Sequence, residues 1–167
     1  MRKENQEKLI TEFYKFTVKD LMDSHSWDLP VVEKNTDITN VFSILSGKSH
    51  IWVVDKKETM KVVGVITEHD ALQLLSPAYE PSYFSRKINI RSLQYNLANT
   101  AEDIMSKKPV TISPDDTVTD VLEQMTRYRV RRLPVVDKND TLVGEITLHH
   151  LIYKYHQEQI KKIKTLQ

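Results

Sequence analysis

Thr67 and Asp70 are the polar pair in this sequence whose types and spacing most readily suggest chemistry. They follow the apolar run Val62–Ile66 in the segment VVGVITEHDAL. A threonine at a helix start with an acid three residues later forms a capping box, in which the two side chains satisfy backbone N–H groups of the first turn. Such pairs occur at many helix starts. Alone, the pair predicts a helix after Thr67 and gives no information about a ligand.

Four arginines within the segment RYRVRR form the densest basic stretch of the chain. Guanidinium groups bind phosphate through paired hydrogen bonds, so the stretch could hold a polyphosphate or contact nucleic acid. It could equally be a solvated helix end that runs into an exposed strand, where alternate side chains point away from any one site. A formal net charge of +1 argues against nucleic acid. The arginines are Arg127, Arg129, Arg131 and Arg132.

Other residue types that could do chemistry are sparse. The sequence has no cysteine, which excludes thiol catalysis and thiolate metal sites. Its three glycines argue against a glycine-rich phosphate loop. Among six histidines, His149 and His150 are adjacent and would point about 100° apart on a helix, and no HExxH pattern is present. We predict neither a metal site nor an enzyme active site.

Composition places the chain among ordinary globular proteins. Apolar residues make up 40% and charged residues 28% of its 167 residues. No apolar run resembles a signal peptide or reaches the ~18–20 residues of a membrane span. Because a chain without cysteine also fits a reducing compartment, we expect a cytoplasmic protein.

The elements that must position these residues occur twice. Gly64 and Thr67 match Gly144 and Thr147, each pair 80 residues apart. An amphipathic helix stripe that begins at Ile38 recurs 80 residues later, and VKDLM at 18–22 matches AEDIM at 101–105. One copy of about 55–60 residues would be marginally stable. We therefore expect the two copies to pack face to face as a pseudo-twofold pair.

Each copy predicts a β-α-β-β-α unit, which places the chain in the mixed α/β class. A short helical turn ending in methionine precedes the first strand, two strands form a hairpin, and a closing helix follows the threonine. In the second copy, SPDD at 113–116 signals the start of the first helix. The predicted strands are Leu29–Val32, Ile51–Val54 and Val62–Thr67, then Val110–Ile112, Leu133–Val136 and Leu142–Thr147.

We divide the chain into five segments. An N-terminal helix over 1–16 has Leu9, Phe13 and Phe16 on one side, and the final helix from Leu148 has Leu151, Tyr155 and Ile163 as inward positions. Its lysines (Lys154, Lys161, Lys162 and Lys164) fit a solvated outer face. The segments are the N-terminal helix (1–16), the first repeat (17–75), a linker with an aromatic cluster (76–99), the second repeat (100–155) and a C-terminal helix extension (156–167).

In this context the chain resembles the CBS domain family, and the two copies resemble a CBS pair, or Bateman module. The resemblance is carried by GVITEHD at 64–70, RRLPVVD at 131–137, SPDDTVTDVL at 113–122 and DIM at 103–105. It covers roughly residues 17–75 and 100–155 and implies one compact module of two repeats.

The resemblance also implies a ligand, since paired copies in this family often bind adenine nucleotides or S-adenosylmethionine between the repeats. Asp70 would accept from ribose hydroxyls, Thr67 would face phosphate or ribose at the helix start, and Arg131 would reach the phosphates. Val65, Val110 and Thr111 would line the base pocket. The predicted site is Val65, Thr67, His69, Asp70, Val110, Thr111, Arg131 and Arg132. The expected ligand is AMP, ADP, ATP or S-adenosylmethionine, with no catalytic cofactor.

The corresponding positions of the second repeat depart from this pattern. His150 stands where the aspartate would be, and Glu145 stands where an apolar residue would line the base, on either side of Thr147. A neutral imidazole cannot accept two hydroxyl protons as a carboxylate can. Ser49 is the first-copy counterpart of Arg131, which weakens phosphate attraction there. We therefore predict one competent nucleotide site, on the Asp70 side.

These features predict a stand-alone regulatory module that signals nucleotide occupancy to a separate target protein. The resemblance further suggests a homodimer built from helix faces, which the N-terminal helix could extend. Two alternatives stay open: a ligand-free structural or interaction module in which Thr67 and Asp70 only cap a helix, and a nucleic-acid-binding module that uses Arg127–Arg132 and the lysine-bearing final helix.

Overall fold

The computed structural model describes residues 2–23, 28–75 and 98–165, which divide between two compact units. We call residues 29–109 the first-repeat unit, and residues 1–28 together with 110–167 the second-repeat unit. The aromatic cluster predicted in the linker lies outside the described residues.

The secondary structure follows the predicted repeat. In chain order the elements are α1 (Arg2–Phe13), a 3-10 turn (Val18–Asp20), β1 (Val31–Glu33), α2 (Ile38–Leu45), β2 (His50–Val54), β3 (Val62–Thr67), α3 (Glu68–Leu75), α4 (Ala101–Ile104), β4 (Ser106–Lys107), α5 (Val118–Tyr128), β5 (Arg132–Val136), β6 (Leu142–Thr147) and α6 (Leu148–Thr165). Both hairpins, both closing helices and an N-terminal helix are present as predicted, but the N-terminal helix ends at Phe13 rather than at residue 16.

The first-repeat unit is built on a four-stranded sheet of order β1-β2-β3-β4. Strand β1 is parallel to β2, and the other neighbours are antiparallel. Every residue of β2 is buried, as expected for a central strand of β-branched and aromatic residues. The apolar side chains of α2, α3 and α4 pack on this sheet, around Val41, Ile66 and Ile104.

The second-repeat unit has the same plan with shorter outer strands. Strands β5 and β6 form a two-stranded sheet, and single bridges join Ile112 to Val135 and Asp23 to Glu145. The predicted strand Val110–Ile112 is thus reduced to one bridge. In the first-repeat unit the amide of Trp52 donates to the carbonyl of Pro30 at 2.8 Å. Its counterpart, Pro134, has no N–H to donate, so the ladder cannot extend back to Val110.

In each unit, the short helical turn comes from the segment that opens the other repeat. The amide of Val18 donates to the carbonyl of Asp116 at 2.8 Å, and the amide of Ala101 donates to that of Thr36 at 2.8 Å. The two bonds occupy equivalent positions in the two units. The turn that opens the first repeat therefore lies in the second-repeat unit, and the turn that opens the second repeat lies in the first-repeat unit.

Helices α1 and α6 pack together within the second-repeat unit. The ring of Phe13 meets Tyr155 edge-on at 5.2 Å between centroids, and Glu12 pairs with Lys162 at 3.4 Å. Leu9, Phe13 and Leu151 are buried as predicted. The inward position predicted for Ile163 is wrong, because this side chain is 61% exposed. Lys162 faces α1, and the next residue on a helix points about 100° away.

Among the residues described, no helix is both long and apolar enough to cross a membrane.

Candidate functional site

The junction of β3 and α3 holds Thr67 and Asp70 together. The backbone N–H and the hydroxyl of Thr67 both donate to Oδ2 of Asp70, each at 2.8 Å. The acid half of the predicted capping box is therefore present, because Asp70 accepts from both donors of Thr67. Because two donors occupy one oxygen, the capping role and any ligand role must divide between the two carboxylate oxygens.

Within the described part of the chain, Asp70 is one of four aspartates that make the same cap to a threonine. Each Thr-x-x-Asp segment directs the threonine N–H and O–H to one carboxylate oxygen, at Thr17, Thr67, Thr100 and Thr117. Asp20 and Asp103 are exposed and Asp120 is half-buried, whereas Asp70 is buried, with 7% of its surface exposed. Burial, rather than the motif, singles out Asp70.

Hydrogen bonds to the charged carboxylate lower the pKa of the three other aspartates. The Thr117 hydroxyl has the largest effect on the pKa of Asp120, and the Thr17 hydroxyl has the largest effect on that of Asp20. Backbone donation from Asn99 is the largest cause for Asp103. All three caps therefore favour the ionised acid.

Ser106 is a neighbour of Asp70 that the sequence did not predict. Its hydroxyl lies 3.4 Å from Oδ1 of Asp70, longer than the usual 2.7–2.8 Å of an O–H···O bond. Antiparallel pairing of Ser106 with Val65 on β3 brings the two side chains together. In the sequence, Ser106 is distinguished only by following the repeated segment AEDIM. The pairing of β4 with β3 is needed to show that Ser106 contacts Asp70.

The two other predicted residues of this unit lie beside the cap. Val65 is half-buried on β3, between its strand partners Trp52 and Ser106. His69 is exposed on α3, and its Nε2 lies 3.0 Å from Nε2 of Gln73, one turn on. Val65, Thr67, His69 and Asp70 thus form one continuous strand-to-helix segment.

The remaining predicted residues belong to the second-repeat unit. Val110 is half-buried against the apolar core of that unit, and Thr111 is exposed beside an open depression of about 570 Å³ lined by Asp115, Asp116 and Asp137 among others. The Arg131 side chain is exposed and its carbonyl accepts from the amide of Leu148 at 2.8 Å. Arg132 is half-buried at the start of β5.

The second repeat caps its closing helix with a histidine. The amide of Thr147 donates to Nδ1 of His150 at 3.3 Å, and the amide of His150 donates to the hydroxyl of Thr147 at 3.2 Å. Burial lowers the pKa of His150, and it outweighs the opposing effect of Glu145 and Asp23. Asp23 takes the place that Ser106 has in the first-repeat unit, so two carboxylates surround this cap. Such surroundings disfavour a phosphate.

Basic side chains on the outer helices are paired within the chain. Arg127 pairs with Glu123 on α5. On α6, Lys154 and Lys161 both reach Glu158, at 3.2 and 2.9 Å. These pairs are typical of solvated helix faces. Within the described ranges, no group of three or more histidine or acidic residues could hold a metal ion.

Comparison with known proteins agrees with the repeat. Residues 18–77 and 101–157 match the CBS domain. The chain belongs to the CBS domain family. A curated relative, inosine-5'-monophosphate dehydrogenase of Methanocaldococcus jannaschii, is 30% identical over 161 residues, which are 94% of this chain and 30% of that enzyme. The chain therefore spans about a third of this relative's length.

Solved CBS pairs have the same fold. The CBS-pair protein CBSX2 of Arabidopsis thaliana, solved in complex with AMP, superposes with a TM-score of 0.70 at 22% identity, covering 85% of this chain and 97% of that one. A CBS domain pair solved with 5'-methylthioadenosine and S-adenosyl-L-methionine superposes with a TM-score of 0.62 at 25% identity, covering 84% and 99% of the two chains.

Proposed function

We propose that this CBS pair is a regulatory module that binds an adenine nucleotide at the β3–α3 junction, with Asp70 holding the ribose. The observation that carries the proposal is the asymmetry of the Asp70 carboxylate. Thr67 saturates Oδ2, whereas Oδ1 has only the Ser106 hydroxyl at 3.4 Å among the described residues. A buried carboxylate oxygen with acceptor capacity left over is suited to hydroxyl donors.

The neighbouring groups support a nucleoside rather than a bare anion. Val65 offers an apolar side chain for a purine face, and Thr67 keeps its acceptor capacity while its hydroxyl proton is held by Asp70. The solved relatives bind AMP, or 5'-methylthioadenosine and S-adenosylmethionine, ligands that share an adenine and a ribose ring. Val110, Thr111, Arg131 and Arg132 stay predictions from the family resemblance, each testable by substitution.

The test is calorimetric titration with AMP, ADP, ATP and S-adenosylmethionine, using wild-type protein and Asp70→Asn. An asparagine can still accept from Thr67, but it removes the charge and one acceptor. Losing a charge-assisted hydrogen bond costs about 1.5–3 kcal/mol, so we expect the variant to bind roughly ten- to 100-fold more weakly. At 100-fold excess over its dissociation constant, the preferred ligand should stabilise the wild type by about 2.7 kcal/mol.

Asp120→Asn is the matched control, because Asp120 makes the same two hydrogen bonds to Thr117 at 2.8 and 2.6 Å. It should lose a comparable amount of cap stability and keep full ligand affinity. If no adenosine ligand stabilises the wild type, the nucleotide proposal is wrong. If a ligand binds and Asp70→Asn binds it equally well, the ligand lies elsewhere.

We further propose that the module acts as a homodimer on a separate target protein. Exposed apolar side chains on α6, Ile152 and Tyr153, support a helix-face interface. The apolar side of α1 is already used inside the second-repeat unit, through Leu9 and Phe13. Native mass spectrometry of the freshly purified protein should show a two-copy mass with bound nucleotide. A one-copy mass at micromolar concentration would exclude the dimer.

The nucleic-acid alternative is less well supported, because Arg127, Lys154, Lys161 and Lys162 already pair with glutamates of the same chain. A salt-titrated binding assay separates the two functions. Nucleic-acid binding would weaken steeply with salt, whereas the ligand-free alternative predicts no response to either nucleotide or nucleic acid.

A further inference from the structure

The cap of α6 differs chemically from the four aspartate caps. Its acceptor is a ring nitrogen, Nδ1 of His150, which receives the amide of Thr147 at 3.3 Å. An imidazole nitrogen accepts a hydrogen bond only while it carries no proton. The aspartate caps keep their acceptor down to low pH, whereas this cap loses its acceptor when one proton binds.

Among the described residues, three titratable groups influence the charge of His150. Glu145 lies on β6, His149 is the preceding residue of α6, and Asp23 follows the 3-10 turn. Asp23 is held there by two backbone bonds with Glu145, at 3.0 and 3.2 Å. Both carboxylates attract a proton to His150, while burial and His149 oppose it. The imidazole is therefore neutral at neutral pH, and its Nδ1 accepts from the Thr147 amide.

We propose that His150 is a proton-operated cap that makes the start of α6 pH-dependent. Above about pH 6.5 the neutral ring accepts from Thr147 and completes the first turn. When Nδ1 takes up a proton, the bond from the Thr147 amide is lost, because the protonated nitrogen has no lone pair left to accept it. The second-repeat unit thus binds a proton at the position where the first-repeat unit presents Asp70.

The sign of the effect follows from linkage. Because burial lowers the pKa of His150 in the folded chain, the unfolded chain binds more protons near the ordinary pKa of histidine. The stability that the cap contributes is complete above that value and is lost as the pH falls through the lower folded-state pKa. The first turn of α6 should loosen before the rest of the helix, which is anchored by Leu151 and Tyr155 in the core.

The experiment compares wild-type protein with His150→Asn, whose side-chain carbonyl can accept from Thr147 without titrating. NMR titration should give the His150 ring a midpoint below that of an exposed histidine, and the Thr147 amide should lose exchange protection over the same pH range. Between about pH 7.5 and 5.5 the melting temperature of the wild type should fall more steeply than that of His150→Asn.

His156→Asn is the matched control, since His156 is an exposed histidine on the same helix, and it should keep the wild-type slope. The proposal is overturned if the His150 midpoint is normal or raised, or if His150→Asn keeps the wild-type pH slope. All measurements use protein without nucleotide, so their outcome is independent of ligand binding at Asp70.

Discussion

Asp70 and Asp120 make the same hydrogen bonds to a threonine three residues earlier, yet they differ in their surroundings. Asp120 stays half-buried at the start of α5, where its carboxylate does little more than cap the helix. Asp70 is buried, and Ser106 lies near its second oxygen. At the scale of single residues, the same side chain is therefore a cap in one place and a candidate ligand group in another.

The aspartate caps should make the protein sensitive to acid. The pKa values of Asp20, Asp103 and Asp120 are lowered by hydrogen bonds to the carboxylate, so the unfolded chain binds more protons than the folded chain near pH 4. The stability that these caps contribute is present above about pH 4 and is lost as the pH falls through the lower folded-state values.

Asp120→Asn should reduce the loss of unfolding free energy at acid pH. Urea unfolding at intervals between about pH 5 and pH 2.5 should show a smaller fall in the free energy of unfolding than for the wild type, because one titrating cap is gone. Parallel curves for the two proteins would show that the Asp120 cap does not contribute to acid sensitivity.

At the scale of elements, two glycines allow a helical turn to approach the middle of a strand. A β-carbon at Gly144 would lie 2.5 Å from the carbonyl oxygen of Asp23, and one at Gly64 would lie 2.3 Å from Sδ of Met105. Asp23 follows the turn that ends at Met22, and Met105 ends the equivalent turn of the second repeat. Each of these turns packs in the unit of the other repeat. The repeated glycines are thus explained by close packing against a turn.

Gly144→Ala should destabilise the protein by about 1–3 kcal/mol, the usual cost of overpacking. The clash is with backbone, so the bridge between Asp23 and Glu145 must open. Urea unfolding measures the loss, and amide exchange at Asp23 and Glu145 locates it. Gly47→Ala is the matched control, because no atom lies within 4 Å of the added carbon. Equal stabilities for the two variants would contradict this account.

At the scale of the whole molecule, the compact units do not follow the order of the repeats along the chain. Val18 comes at the start of the sequence but is fully buried in the core of the second-repeat unit, with Val118 and Val121. Ala101 and Ile104 come from the start of the second repeat but belong to the first-repeat core. Each core is therefore completed by residues from distant sequence.

Val18→Ala should destabilise the second-repeat unit. Removing two buried methyl groups costs about 1–3 kcal/mol. Hydrogen exchange followed by mass spectrometry should show faster exchange in peptides from 110–165. Val41→Ala, an equally buried valine of the first-repeat core, should instead raise exchange in peptides from 29–75. Faster exchange in the same unit for both variants would disprove the assignment of Val18.

Much of this architecture could be predicted because its signals are local. The apolar stripe of α2 and α5, the alternation in the hairpins and the Thr-x-x-Asp helix starts depend on residues within one or two turns of each other. The duplication then aligned Asp70 with His150 and led to the family. The wrong predictions depend on contacts between residues far apart in the sequence. The predicted strand Val110–Ile112 is shortened because Pro134 on strand β5 cannot donate to it, and Ile163 is exposed beyond the contact of α6 with α1.

Local patterns in the sequence establish the repeated unit, its helices and strands, and the residue types at each helix start, since these follow from periodicity and short-range hydrogen bonding. Three other facts emerge only from the folded chain: which turn packs on which sheet, that Asp70 is the buried member of the four Thr-x-x-Asp caps, and that Ser106 lies beside it. These facts depend on backbone pairing between residues tens of positions apart, and such pairing leaves no fixed spacing in a single sequence.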